Sequence, residues 1–456
     1  MRARQLSDIA AVTRGRVAGG DVTVTGVTTS STSVRPGDLF VALPGERVDG
    51  HDFVGDALAA GAAAALVGDA AAFEPLVIVE DPRSALLDLA RHERATLPAT
   101  VVGITGSVGK TSVKDLTAAV LAARFRVVAS PASYNTEVGV PLTILAADEG
   151  TEVIVCEMGS RGLGHITLLC DVARPSVGVV TSVGAAHLEM FRSLDVVADA
   201  KAELPEALPE DGTAVLNDDD PVVRGFETRT RARVVRYGTS GRSDVRAEDL
   251  VLDERGLATF TLHADGSTER VELSIPGEHM ASNALAAAGV GVALGVSPAE
   301  ASAALKEASV APWRMETFET STGVRVVNDA YNANPMSMAA ALKAAAAIRG
   351  AGRCVAVLGE MAELGEAADG EHERVGELVA RLGIDRLVVV GEAARLIAVG
   401  AVREGVEPEH VAGVDTDAEA LEALRAWVRP GDVVLVKASR RAELDRLAEA
   451  LRESNG

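Results

Sequence analysis

Residues 103–112 read Gly103-Ile104-Thr105-Gly106-Ser107-Val108-Gly109-Lys110-Thr111-Ser112. The apolar run Ala99-Thr100-Val101-Val102 precedes them, and a helical pattern over 113–123 follows. Strand, glycine-rich turn, Lys-Thr and helix is the order that cradles a nucleotide phosphate. Backbone N–H groups of such a turn point inward, and the helix N-terminus adds partial positive charge. Lys110 is placed to reach the outer phosphates, and the Thr111 hydroxyl is a ligand of the kind Mg²⁺ takes. The segment predicts ATP or GTP binding through Gly106, Ser107, Val108, Gly109, Lys110, Thr111 and Ser112. The common phosphate-loop pattern has a further glycine where this chain has Ile104, so the signal is a shortened one. The competing reading is a helix-capping turn that happens to contain Lys. The flanking strand and helix weigh against it.

Composition narrows the class. A chain of 456 residues holds roughly two to four domains. Nearly half of it is hydrophobic but only 3% is aromatic, which favours tight helix-on-sheet layers built from Ala, Val, Leu and Gly. A formal charge of −22 argues against a nucleic-acid partner, which calls for a basic face. Three cysteines (Cys156, Cys170, Cys354) without a Cys-x-x-Cys pair fit buried thiols in a reducing cytoplasm. No signal peptide is visible over 1–14, and runs such as 57–67 are too short to span a bilayer. The expectation is a cytoplasmic monomer without membrane insertion. Of the 44 basic residues only six are lysines: Lys110, Lys114, Lys201, Lys306, Lys343 and Lys437. A Lys retained in an Arg-dominated chain is a candidate for chemistry that needs an amine.

The fold class read from the pattern is α/β in three domains. Residues 1–98 form a small α/β N-terminal domain, with strands at 22–24 and 39–43 and an Ala-rich helix over 57–65. Residues 99–311 form a central P-loop ATPase-like domain. Its continuous apolar runs at 153–156, 177–180 and 213–216 are the mark of buried parallel strands. The stretch 243–274 alternates like an antiparallel hairpin, and 281–295 reads as a helix. Ala311-Pro312-Trp313 is a linker. Residues 312–456 form a C-terminal Rossmann-like domain with strands at 324–327, 355–358, 387–390 and 433–436.

Three further residues carry chemistry. Glu157 ends the second strand of the central domain, where a carboxylate beside a phosphate loop can hold Mg²⁺; a surface Glu opening a loop fits the position equally well. His187 follows the next strand by a few residues, although a lone His is more often structural. Lys201 sits in an acidic helix. The plain alternative is a solvated Lys, but its Glu and Asp neighbours two residues away do not face it.

Four segments together resemble the Mur ligases of peptidoglycan synthesis over nearly the whole chain. They are Gly106-Ser107-Val108-Gly109-Lys110-Thr111, Glu157-Met158-Gly159, Ala185-Ala186-His187-Leu188-Glu189 and Ala200-Lys201-Ala202-Glu203. Within the family the resemblance is strongest to the member that adds D-alanyl-D-alanine to UDP-N-acetylmuramoyl-tripeptide. Stretches 36–43 with 50–53, 134–141, 328–335 and 358–365 carry it, and the Asp-Asn-Pro-Arg typical of the sibling that adds the third amino acid is missing. The resemblance implies attack of a substrate carboxylate on ATP, an acyl phosphate, and capture by an amine. It implies Lys110, Glu157, His187 and Lys201 as catalytic, with Thr111, Glu157, His187 and Lys201 toward Mg²⁺ and Lys201 as a carbamate. Arg cannot take that last role, because it stays protonated.

The resemblance further implies nucleotide contacts from His279, Asn283, Arg314 and Asp329. Substrate contacts are implied for Ser30, Ser31, Asn135, Thr136, Tyr331, Asn332 and Asn334. Residue by residue, plainer readings stay open: Ser282 or Asn283 as a helix cap, Arg314 in a linker salt bridge, 329–334 as an Asx turn. Two departures stand out. Ser30-Ser31-Thr32 replaces a frequent Asp-Ser-Arg near the uridine, and Lys437-Ala438-Ser439-Arg440 replaces Lys-Gly-Ser-Arg. The competing functions are the sibling ligase, an inactive nucleotide-binding scaffold, and a folate-polyglutamate type ligase. Ligases of that last type lack the first domain.

Overall fold

The computed structural model describes residues 1–45, 48–69, 72–184, 188–191 and 193–453. His187, with Ala185 and Ala186, lies outside the described residues.

Among the described residues the first stretch of chain forms β1 (Arg4–Gln5), β2 (Arg16–Ala18), β3 (Thr23–Val24), β4 (Gly26–Thr28), β5 (Asp38–Val41), β6 (Ala64–Val67) and β7 (Leu76–Ile78). β1 pairs with β3, and the others make a sheet ordered β2-β7-β6-β5-β4 that is parallel except at β2. The helix expected over 57–65 is wrong in its second half. The helix is Val54–Ala59, and β6 takes the rest. Gly61 at φ +108° stops the helix, and the Ala62 amide returns to the Ala57 carbonyl at 3.0 Å. Ala64, Ala65, Leu66 and Val67 are all fully buried, so helices cover both faces of this strand. Burial in a central strand overrides alanine's helical preference there.

The central stretch forms β8 (Thr100–Thr105), β9 (Val127–Ala129), β10 (Val153–Glu157), β11 (Val177–Val180), β12 (Thr213–Asn217), β13 (Arg233–Gly238), β14 (Val245–Leu252), β15 (Leu257–Ala264) and β16 (Ser267–Pro276). They form one sheet ordered β16-β15-β14-β13-β12-β11-β8-β10-β9. It is parallel from β9 to β14, and the last two strands turn back antiparallel. The expected hairpin over 243–274 is thus three strands long. β9 and β13 were not expected, which makes Glu157 the end of the third strand and not the second. β8 lies between β10 and β11, so the chain order reverses around it. Ligands settle in the crevice beyond the carboxyl ends of strands at such a switch point.

The last stretch forms β17 (Glu316–Glu319), β18 (Arg325–Asn328), β19 (Cys354–Leu358), β20 (Arg386–Val390), β21 (Val411–Val414) and β22 (Val433–Lys437), ordered β17-β18-β22-β19-β20-β21. All are parallel except the edge strand β17. β17, Glu-Thr-Phe-Glu, escapes a search for apolar runs because it is a half-exposed sheet edge; β21, Val-Ala-Gly-Val, is apolar but was not expected. The carboxyl ends of the second and third sheets border one cleft.

Candidate active site

The shortened phosphate loop is built on two glycines that no other residue replaces without strain. Gly106 has φ +146°, and a Cβ there would stand 1.9 Å from Thr181 Oγ1. Gly109 has φ +84° and precedes the helix Lys110–Ala122 directly. The loop is tied to the end of β11: Ser107 N donates to the Ser182 carbonyl at 2.9 Å, and Val108 N to Ser182 Oγ at 3.2 Å. Ile104, the residue that breaks the longer pattern, is a fully buried strand position. Lys110 bends back over the loop and donates from Nζ to the Gly106 carbonyl at 2.6 Å. Desolvation pushes its ammonium below the usual lysine range; Glu157 opposes that shift and Arg314 adds to it.

The parallel register Glu157↔Ile104 sets Glu157 beside this loop. Its side chain is buried and held from two directions. Thr111 Oγ1 donates to Oε2 at 2.8 Å, and Asn135 Nδ2 donates to Oε1 at 2.8 Å. This is not a surface glutamate. Oxygen donors of this kind suit Mg²⁺, which keeps several waters and phosphate oxygens and needs few protein ligands. Among the described residues, no three His, Cys, Asp or Glu side chains gather as a self-sufficient metal site.

Lys201 lies on the helix Leu194–Ala207 and is 2% exposed, which excludes the solvated-lysine reading. Its Nζ donates to Ser160 Oγ at 2.8 Å. Burial drives its pKa well below the ordinary value; the positive charge of Lys110 adds to the shift, and Glu203 opposes it.

From the third sheet, Arg314 stacks on the Tyr331 ring at 4.1 Å and donates to Ser133 Oγ at 3.0 Å, so it is not a linker salt bridge. Asp329 accepts from Met315 N at 3.1 Å and from Lys437 Nζ at 2.5 Å; Lys437 also donates to the Asn332 carbonyl at 2.8 Å. Asn334 caps the helix Pro335–Ile348, accepting from Ser337 N at 2.9 Å. The helix His279–Ala293 begins before both Ser282 and Asn283, so neither is its cap. Asn283 is buried with its Oδ1 against the loop at Gly109, and burial lowers the pKa of His279.

One cavity of about 810 Å³ brings most of these together. Ser107, Val108, Gly109, Lys110, Thr111, Ser112, Asn135, Thr136, Glu157 and Lys201 line it from the central sheet. Opposite them stand Arg314, Asp329, Tyr331, Asn332 and Asn334, with His279 and Asn283 between. Ser30 and Ser31 do not line it. They sit at a short turn of the first sheet's unit, where Ser30 Oγ lies 2.9 Å from Thr32 Oγ1. Ser133, Ser160 and Lys437 went unassigned in the sequence. Only Lys437 carried a signal there, as one of the six lysines and as the first residue of Lys437-Ala438-Ser439-Arg440.

Comparison with known proteins finds matches along nearly the whole chain. Three family models match: Mur ligase family, catalytic domain over 23–94; Mur ligase middle domain over 104–291; and Mur ligase, glutamate ligase domain over 313–440. A relative from Mycobacterium tuberculosis named UDP-N-acetylmuramoyl-tripeptide--D-alanyl-D-alanine ligase is 45% identical, over 92% of this chain and 91% of its own. The crystal structure of MurF from Acinetobacter baumannii superposes with a TM-score of 0.88 at 28% identity, covering 99% of this chain and 100% of that one. The MurF ligase of Thermotoga maritima in complex with ADP gives 0.80 at 32% identity, over 94% and 97% of the two chains. Among the described residues no helix is long and apolar enough to cross a membrane.

Proposed function

The chain belongs to the Mur ligase family, and from that premise we propose that it joins D-alanyl-D-alanine to UDP-N-acetylmuramoyl-tripeptide at the expense of ATP. The observation that carries this is the shared cavity. It sets a phosphate loop with Thr111 and Glu157 opposite Arg314 and Asp329, with a buried Lys201 between the strand ends.

The reaction has two steps. A carboxylate oxygen of the tripeptide forms a bond to the γ-phosphorus, and ADP leaves with the electrons of the broken P–O bond. The dipeptide amine then attacks the acyl carbon, the acyl C–O bond breaks, and phosphate leaves as the amine gives up a proton. Phosphoryl transfer to an anion needs fixed positive charge more than covalent help. Lys110 and Arg314 supply that charge from opposite walls. Mg²⁺, when bound, would add Lewis-acid neutralisation of the phosphates, and Thr111, Glu157, His187 and Lys201 would hold it. Lys201 would serve as a carbamate. Its burial favours the neutral amine that captures CO₂, forming an N–C bond and releasing a proton.

Residues 1–98 would hold the UDP end of the acceptor through a surface that includes Ser30 and Ser31. Residues 99–311 would bind ATP, and 312–456 would bind the dipeptide and close on the nucleotide. Asn135, Thr136, Tyr331, Asn332 and Asn334 then face the reacting groups. Closure would exclude water that hydrolyses the acyl phosphate. The working form would be a cytoplasmic monomer. Isotope transfer tests the chemistry: with ¹⁸O in the tripeptide carboxylate, one label should appear in the released phosphate. Unlabelled phosphate would contradict the acyl-phosphate route.

A further inference from the structure

We infer that Lys114 and Asp115 are a positioning pair that ties the phosphate-loop helix to the Ser133 loop and to the pivot of the third unit, so that Arg314 meets Ser133. The inference deepens the ligase reading and rests on it, since Arg314 faces phosphates only there.

Lys114 is one of the six lysines and is 2% exposed, on the helix Lys110–Ala122 one turn beyond Lys110. Its ammonium donates to the Ser130 carbonyl at 2.7 Å and the Ala132 carbonyl at 3.0 Å, and forms an ion pair with Asp115 Oδ1 at 2.7 Å. A compact ammonium fits this set; a planar guanidinium does not. The two carbonyls belong to the loop that carries Ser133, and Ala132 there is left-handed at φ +45°.

Asp115 makes the second tie. Its other oxygen accepts from Ala311 N at 2.9 Å, at the start of the segment linking the second and third sheets. Trp313 at φ +61° and Met315 at φ +54° are both left-handed without being glycine. Such conformations persist only where the surroundings impose them. Arg314, between them, is the residue whose guanidinium donates to Ser133 Oγ at 3.0 Å. Ser133 Oγ in turn lies 3.2 Å from Thr111 Oγ1, and Thr111 donates to Glu157. The contacts close a circuit. Lys114 sets the height of Ser133, Asp115 sets where the linker is tied to the phosphate-loop helix, and Arg314 meets Ser133 only when both are set.

The test is steady-state kinetics of the full chain with ATP, UDP-N-acetylmuramoyl-tripeptide and D-alanyl-D-alanine. Asp115→Ala should lower kcat about 10- to 100-fold while KM for ATP changes little, because geometry and not nucleotide affinity is lost. Asp115→Asn keeps an acceptor for Ala311 N and should recover most of the loss. The double variant Asp115→Ala/Arg314→Ala should be no slower than Arg314→Ala alone. Multiplying losses, or an unchanged kcat in Asp115→Ala, would overturn the pairing. Lys114→Met should resemble Asp115→Ala; if it does not fold, the Asp115 variants carry the test. A wild-type chain without turnover contradicts the ligase reading instead. Amide exchange over 311–315 then reads out the pair: faster in Asp115→Ala supports it, unchanged overturns it.

Discussion

Thr111 Oγ1 donates to Glu157 Oε2 across 2.8 Å, joining the first turn of the phosphate-loop helix to the end of the neighbouring strand. Both side chains are buried, and Asn135 holds the other carboxylate oxygen. A carboxylate fixed this way is preorganised and needs little rearrangement to meet a cation. Glu157→Gln keeps the shape and removes the charge. It should cost about 100-fold or more in kcat and raise the Mg²⁺ concentration needed for half-maximal rate. Steady-state rates across a Mg²⁺ titration check this; a wild-type Mg²⁺ requirement would count against the role.

Lys201 predicts a pH dependence whose sign follows from burial. Its folded pKa lies well below the unfolded value. Between the two, the unfolded chain binds a proton that the folded chain does not, so stability rises with pH through that window. Lys201→Met removes the penalty. In CO₂-free buffer it should melt above wild type at pH 7, and the gain should shrink as pH approaches the unfolded value. Thermal melts at several pH values measure this. Lys201→Ala should lose most turnover and regain part of it with a small carboxylic acid; no effect on turnover would sink the carbamate role.

Lys437 is 2% exposed and saturates itself on Asp329 and Asn332. Breaking a buried pair from one side leaves an uncompensated charge, a loss of roughly 3–5 kcal/mol. Asp329 keeps some exposure, which places Lys437→Met toward the lower end. Adding Asp329→Asn should restore part of the stability. Denaturant titration of the single and double variants decides it: a double variant as unstable as the sum of the singles would contradict a paired role.

Ala438, in the place of a usual glycine, is not left-handed, so its backbone demands nothing special. Its methyl instead faces Gly359, where a Cβ would come within 2.7 Å of it. Gly359→Ala should therefore destabilise the protein by about 1–3 kcal/mol. Ala438→Gly in the same chain should relieve much of that. Melting temperatures of the two singles and the double show whether the contact governs.

The sequence made the phosphate loop legible because strand, turn and helix are local, and β8 with its helix lies where the apolar runs put them. Glu157 was legible for the same reason, as a polar residue ending an apolar strand. The segment 60–65 misled because alanine favours helices locally, and only the burial of β6 on both faces decides otherwise. The edge strand β17, Glu-Thr-Phe-Glu, lacks the apolar run of a covered strand, whereas β21, Val-Ala-Gly-Val, is apolar but lies at the half-exposed sheet edge. Ser133 and Ser160 were illegible in principle: a lone hydroxyl gains meaning only from the guanidinium or amine that the fold brings to it. Of the six scarce lysines, Lys110, Lys114, Lys201 and Lys437 hold partners inside the structure, whereas Lys306 pairs with Glu272 at the exposed surface.

Phosphate release reads out which two substrates the chain joins. The chain would be assayed with ATP, Mg²⁺ and UDP-N-acetylmuramoyl-tripeptide against a panel of single amino acids and dipeptides. Release should depend on the UDP-sugar-tripeptide and D-alanyl-D-alanine together. Release that proceeds with a free amino acid and the shorter UDP-sugar-dipeptide, but not with D-alanyl-D-alanine, would contradict it.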